Sequence, residues 1–109
     1  SLQALLTCIR GKIPDPAVGR ISSISDSRYL GNLGVCNTTE CGGNRCAHSC
    51  RSCHYGGGTS QGKSMAVDFG DEVNKGVIMR AASDCGVTSS RIIDEGDHVH
   101  VSTNDCPRN

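Results

Sequence analysis

Cysteine is the residue that decides which folds are open to this chain. Eight cysteines occur in 109 residues, whereas aromatic residues make up 3% and tryptophan is absent. A chain this short buries only a modest core, and small secreted domains compensate with disulfide bonds. We therefore expect four disulfides in a secreted, extracellular protein, with pairings that the spacing does not assign. A start at Ser1, without an initiator methionine, fits a processed mature chain.

Charge and hydropathy exclude two classes of partner. Basic and acidic side chains number 11 each, so the formal net charge is zero. Without a positive field, binding to nucleic acid or to anionic lipid is not expected. No apolar run approaches the roughly 18 residues of a membrane span. The length fits a single domain over residues 1–109, which we expect to be a monomer.

The hydrophobic pattern predicts an α+β fold in which a small, mostly antiparallel sheet carries helices on one side. Residues 1–19 are interpreted as an amphipathic helix that ends at Gly11, followed by a proline-containing connector. Residues 31–62 hold five of the eight cysteines and few apolar side chains. Such a segment orders only when it is cross-linked, so we interpret it as loops held by disulfides.

The remaining elements follow from β-branched runs and from one helical stripe. Strands are predicted over four segments: residues 20–25, 64–69, 91–94 and 98–102. Between the second and third strands, Asp71 is expected to cap a helix that ends before Gly86. The apolar stripe of this helix comprises Val73, Val77, Ile78, Ala81, Ala82 and Cys85.

Two of these strands carry the side chains that could act as metal ligands. On the last strand, His98 and His100 project from one face while the valines between and after them face the core. On the strand over residues 64–69, Asp68 turns away from the face of Val67 and Phe69. Two imidazoles and one carboxylate are a common ligand set for catalytic zinc, which keeps a fourth position for water.

These segments resemble the zinc D-Ala-D-Ala carboxypeptidase and L,D-endopeptidase family, the M15 peptidases, whose zinc site the Hedgehog signalling domain shares. The family signature is Ser-x-His-x-x-Gly-x-Ala-x-Asp followed by His-x-His. Ala66-Val67-Asp68 and His98-Val99-His100-Val101 are similar to its second and third ligand strands. Ser25-Asp26-Ser27-Arg28, with Asn32 following, resembles a Ser-x-x-Arg-x-x-x-Asn segment, so the similarity spans about residues 20–102.

The first ligand is where the chain departs from the family pattern. The family spacing, counted back from Asp68, falls on Gln61, and glutamine is a poor zinc ligand. Alternatively, residues 52–57 match Ser-x-His-x-x-Gly position by position, with His54 as the ligand and an insertion over residues 58–64. We favour His54. If Gln61 is equivalent, the domain is expected to be a non-catalytic binding module.

The resemblance implies one Zn²⁺ per chain, bound by His54, Asp68 and His100, with water in the fourth position. A general base is then required near the water. In relatives it often lies three positions before the last ligand, which favours Asp97 here, and Glu95 is its competitor.

The resemblance assigns two further roles. His98 would stabilise the oxyanion or orient the water, and Arg28 would pair with a substrate carboxylate or carbonyl. The implied protein is a secreted metallopeptidase that hydrolyses short peptides, with bacterial peptidoglycan stem peptides as its substrate.

Three other hypotheses stay open at this point. The first is a zinc-bound or metal-free binding module with the same fold, and the second is a cysteine-rich defence scaffold in which the histidine pair is incidental. The third is a structural zinc site formed by Cys46, Cys50, Cys53 and His54, which we rank below four disulfides. His48 is expected to be a solvated loop residue. Tyr55 is expected at the surface, with a place in the lining of a cleft as the alternative.

Overall fold

The structure, a computed structural model, describes residues 2–24, 46, 48–56 and 64–107. Its helices are α1 (Leu2–Lys12) and α2 (Lys75–Asp84), and its strands are β1 (Ile21–Ile24), β2 (Ala66–Phe69), β3 (Ile92–Asp94) and β4 (Val99–Ser102). The strands form one sheet in the order β1-β2-β4-β3, and every pairing is antiparallel. The predicted α+β class with a small antiparallel sheet is confirmed.

The apolar core lies between the two helices and one face of the sheet. The sheet contributes the alternating residues Val67, Phe69, Val99 and Val101, and the helices contribute Leu2, Leu6, Ile9, Ile78, Ala81 and Ala82. Alternation along a strand sends the intervening side chains to the opposite face. The helices therefore pack on one side, as predicted. The other face of the central strands β2 and β4 carries Asp68 and His100, together with a small buried cluster of Cys53, Ala66 and Cys106.

Two disulfides cross-link the elements that pack on the sheet, one on each side of it. Cys8–Cys85 joins α1 to the end of α2 on the helical side. Cys53–Cys106 joins a short 3₁₀ helix, Cys53–Tyr55, to the segment that follows β4. Each bridge closes a long loop, which restricts the unfolded chain.

The described cysteines support the disulfide framework. Cys46 and Cys50 are also disulfide-bonded, and no cysteine within the described residues is free. The alternative of a thiolate zinc site over residues 46–54 is therefore wrong, because its sulfurs are oxidised. Cys36 and Cys41 lie outside the described residues, as does most of the segment 31–62.

The end of the first helix differs from the prediction. Helix α1 continues through Gly11 to Lys12 instead of ending before the glycine. The residue before a proline is disfavoured in the helical region, so Pro14 ends the helix more effectively than Gly11 does.

The start of the second helix differs as well. A 3₁₀ turn, Glu72–Asn74, precedes it, and Asp71 makes no side-chain capping bond there. Val73 is 90% exposed and Val77 is 51% exposed, so their predicted place in the apolar stripe is wrong. Val73 lies in the 3₁₀ turn, whose period differs from that of the helix, and Val77 lies beside the buried face rather than on it.

Candidate metal centre

The polar face of the two central strands positions two of the predicted ligands. β2 lies between β1 and β4, and Asp68 is paired with His100 on one side and with Ser23 on the other. Because Val67 and Phe69 are buried in the core, Asp68 must project to the opposite face. The same alternation in β4 sends His100 to that face between two core valines.

The third predicted ligand comes from the short 3₁₀ helix. The backbone N–H of His54 donates to Ser52 Oγ over 3.1 Å, which caps the turn. Gly56 ends the turn with a φ of +87°, a left-handed conformation that glycine adopts readily. The Cys53 carbonyl then accepts from Met65 N–H over 2.7 Å, so the turn is hydrogen-bonded to the residue that precedes β2.

These three side chains meet at one carboxylate oxygen. Asp68 Oδ1 lies 3.1 Å from His54 Nε2 and 3.1 Å from His100 Nδ1. All three residues are buried: Asp68 is 6% exposed, His54 is 1% exposed and His100 is 5% exposed. The structure thus places each of the two predicted histidine ligands in contact with the predicted carboxylate ligand.

The electrostatics of Asp68 favour the carboxylate form. Burial raises the pKa of Asp68, but hydrogen bonds from His100 and His54 outweigh it and hold the pKa well below its usual range. The centre therefore contains a buried negative charge flanked by two imidazoles. That arrangement suits a divalent cation, which would be bound by both nitrogen and oxygen.

A cleft of about 430 Å³ opens over this cluster. Its lining comprises His48, Ser49, Ser52, His54, Asp68, Ile93, Glu95, His98 and His100. Within it, Glu95 Oε1 lies 3.9 Å from His100 Nδ1 and 3.6 Å from His98 Nε2. Among the residues that line the cleft, Glu95 therefore provides a second carboxylate, which lies beside the buried cluster of His54, Asp68 and His100.

His98 and Asp97 occupy different positions from those predicted. β4 begins at Val99, so His98 lies in the preceding turn, although its Nε2 still reaches within 3.7 Å of Asp68 Oδ2. The Asp97 side chain is 82% exposed and does not line the cleft. Its Oδ1 contacts His98 Nδ1 at 2.7 Å, and this hydrogen bond raises the pKa of His98.

Distances among the described residues allow two three-residue groups to hold a metal ion. One comprises His48, His54 and Asp68, and the other comprises Asp68, Glu95 and His100, with ligand atoms in each within 4.8 Å of one another. Both groups include Asp68, but His54 belongs to one and His100 to the other, so the predicted set of His54, Asp68 and His100 is not itself one of the two groups. The polar face of the sheet could therefore hold a metal ion, and the donor atoms do not by themselves assign its identity.

Sequence reasoning missed the contacts of His48 and Tyr55. Tyr55 is buried rather than at the surface, and His48 is half-buried in the lining of the cleft. The His48 ring stacks on His54 with centroids 3.7 Å apart and ring planes within 6°. Burial, together with the nearby His54, lowers the pKa of His48 to about 4. Tyr55 is 2% exposed, and its hydroxyl accepts from the His48 backbone N–H over 2.9 Å. No spacing in the sequence signals these contacts.

Two predicted positions cannot be placed in this centre. Arg28, the predicted substrate-binding residue, lies outside the described residues, as does Gln61. The role of Arg28 and the alternative of Gln61 as the equivalent of the first ligand therefore stay predictions.

Compared with protein-family models, curated proteins and solved structures, the chain matches none of them. The resemblance to zinc peptidases therefore rests on the residues quoted above. None of the helices in the described residues is both long and apolar enough to cross a membrane. The disulfides are consistent with an extracellular protein.

Proposed function

We propose that this chain is a secreted zinc-dependent hydrolase of short peptides, with one Zn²⁺ bound by His54, Asp68 and His100. The observation that carries the proposal is the meeting of His54 Nε2 and His100 Nδ1 at Asp68 Oδ1, each at 3.1 Å. Two nitrogens and one oxygen suit zinc better than magnesium or calcium, which prefer oxygen ligands. When bound, zinc would activate a water and polarise the substrate carbonyl.

Two side chains of the cleft that lie outside the proposed ligand set, Glu95 and His98, suit the accompanying proton transfers. Glu95 is our choice of general base, because it lines the cleft beside His100, whereas Asp97 points to solvent. A base must lie within hydrogen-bond reach of the attacking water. His98, which lies near both Asp68 and Glu95, would donate a hydrogen bond to the developing oxyanion.

The substrate class follows from the resemblance and from the dimensions of the cleft. A volume of about 430 Å³ accommodates a few residues of a peptide rather than a folded protein. Peptidoglycan stem peptides are short, and the M15-like segments at Asp68 and His100 favour them. Pairing of Arg28 with a substrate carboxylate belongs to this proposal as well.

Metal stoichiometry and cell-wall digestion test the proposal together. The purified protein is stripped with a chelator, titrated with zinc and incubated with muropeptides, whose products are identified by mass spectrometry. We expect one zinc per chain, cleavage that is lost with the metal, and recovery on adding zinc. His100→Ala should lose zinc and activity, whereas His98→Ala, a matched change in the same cleft, should keep zinc and lower turnover.

Two outcomes would contradict the proposal in different ways. A zinc-loaded protein that releases neither D-Ala nor a stem-peptide fragment between pH 5 and 9 would exclude the hydrolase and favour the binding module. A protein that takes up no zinc would exclude the hydrolase and the zinc-bound module, and would leave a metal-free binding module or the cysteine-rich scaffold.

A further inference from the structure

His48 is the one histidine of the cleft to which neither the resemblance nor the proposed ligand set gives a role. We infer that His48 is a positioning residue, which fixes the ring plane of His54 so that its Nε2 points at the metal position. The inference rests on the proposed zinc site and adds a residue to it.

Three contacts of different kinds fix His48. Its Nε2 lies 2.8 Å from Ser23 Oγ on β1, and its backbone N–H donates to Tyr55 Oη over 2.9 Å. Its ring lies on His54 with planes parallel to within 6°. Ser23 is itself paired with Asp68, so the contact connects the stack to the strand that carries the carboxylate.

The stack excludes His48 as a second ligand to the same ion in this arrangement. An imidazole binds a metal through a lone pair that lies in its ring plane, at about 2.1 Å. The planes of His48 and His54 are parallel and their centroids are 3.7 Å apart, so no point lies in both planes. Interatomic distances alone would allow the pair to share an ion. Ring orientation decides against it.

What the stack does is to limit rotation of the His54 ring. That ring has His48 on one face, and the His100 ring meets it in a T-shaped contact with centroids 5.0 Å apart. Rotation about the bond from Cβ to the ring would separate Nε2 from Asp68 Oδ1, which lies 3.1 Å away. Groups that orient a ligand in this way commonly change metal affinity by about 10- to 100-fold.

Substitutions that separate the ring face from the ring nitrogens test this role. His48→Phe keeps an aromatic face on His54 and removes both nitrogens, whereas His48→Ala removes the face as well. Both variants retain the backbone N–H that donates to Tyr55. Zinc affinity is measured by competition with a chromophoric chelator, and the visible absorption spectrum of the Co²⁺-loaded protein reports the coordination geometry.

We expect His48→Ala to lower zinc affinity by about 10- to 100-fold and to alter the Co²⁺ spectrum. His48→Phe should keep the wild-type spectrum and most of the affinity. Ser23→Ala, which removes only the contact to Nε2, should lower the affinity less than His48→Ala does. Equal losses in the Phe and Ala variants would overturn the inference, because a ring nitrogen would then be required. Unchanged affinity in His48→Ala would also overturn it.

A second readout needs neither metal nor activity. In the metal-free protein, the ring current of His48 should shift the NMR signals of the His54 ring protons, and His48→Phe should preserve a shift that His48→Ala abolishes. Absence of that shift in the wild type would overturn the inference. A protein that binds zinc but cleaves no peptide would contradict the proposed hydrolase and leave the positioning role intact.

Discussion

At the scale of single residues, the unusual feature is a buried carboxylate oxygen that contacts two imidazoles. Asp68 Oδ1 lies 3.1 Å from nitrogens of both His54 and His100, and the carboxylate is nearly inaccessible to water. Burying a charge is costly unless hydrogen bonds or a bound ion compensate for it. The two histidines provide that compensation through their hydrogen bonds to Asp68, and a bound cation would provide it as well.

The choice of general base gives a prediction at this scale. Glu95→Gln should lower turnover by about 10² to 10⁴ while zinc stays bound, because the amide cannot accept the proton. Asp97→Asn should have a much smaller effect, since its side chain is 82% exposed and lies away from the cleft lining. Turnover of a stem peptide and zinc content are measured in parallel.

Glu72→Gln is the matched control, because it makes the same chemical change at an exposed position in the 3₁₀ turn before α2. Turnover that falls in Asp97→Asn but not in Glu95→Gln would reverse the assignment of the base.

Residues of the site differ in how well the sequence predicted them. Asp68 and His100 could be predicted because each is the polar residue between two apolar residues of its own strand. Alternation is local, so it needs no knowledge of the rest of the chain. His48 and Tyr55 could not be predicted, because their contacts depend on how residues 48–55 pack on one another and on β1.

At the scale of elements, the sequence predicted the strands better than it predicted the ends of the helices. The four strands and the helices on one side of the sheet follow from periodicity and were predicted, whereas the spatial order β1-β2-β4-β3 was not. The start of α2 was not, because a 3₁₀ turn and an α-helix share many residue preferences but place side chains differently. Val73 is exposed for that reason.

The two described disulfides should differ in their effect on the metal centre. Replacing either Cys8 and Cys85 or Cys53 and Cys106 by alanine should lower the free energy of unfolding by about 2 to 5 kcal/mol. Only the second pair should also weaken zinc binding, because Cys53 is adjacent to His54 in the 3₁₀ helix. Chelator competition, at a temperature where both variants are folded, measures the difference.

The pair Cys8–Cys85 is a matched control for that experiment, since it lies on the helical side of the sheet. An equal loss of zinc affinity in both double variants would mean that the bridges act through overall stability rather than by holding the ligand.

The contact between the connector and the turn before α2 predicts a pH dependence. Hydrogen bonds from the Gly19 N–H and from Asn74 lower the pKa of Asp71. Its folded pKa lies below the unfolded value of about 3.9, so the carboxylate stabilises the fold above that pH. The contribution is lost as pH falls through the folded pKa.

Asp71→Asn should therefore be less stable than the wild type at neutral pH, and the difference should shrink on acidification. Urea unfolding of both proteins at several pH values measures it. A difference that is constant down to pH 2 would contradict the assignment of the effect to this carboxylate.

At the scale of the whole molecule, the two faces of one small sheet have separate tasks. One face supplies the apolar core with α1 and α2, and the other carries the candidate metal centre beside the 3₁₀ helix. A domain with so small a core has little stability to spare. A metal bound on the second face would therefore contribute a large share of the total.

Zinc should raise the melting temperature substantially. At free zinc about 1,000 times the dissociation constant, binding adds about 4 kcal/mol, which corresponds to a rise of at least about 15 °C in a domain this small. Differential scanning calorimetry of the stripped and loaded protein measures the rise. His100→Ala should show almost none, and an equal rise in that variant would place the bound zinc elsewhere.

The pairing of β2 with β4 has a practical consequence for producing the protein. A slip of β2 by a single residue would turn Asp68 toward the helices and Val67 toward the cleft, since neighbouring side chains lie on opposite faces. Refolding from the reduced state must also select one of roughly a hundred disulfide pairings. Only molecules in correct register would assemble the proposed ligand set. Zinc bound per chain would then count the native fraction of a preparation, and a metal-dependent capture step would separate those molecules from scrambled isomers.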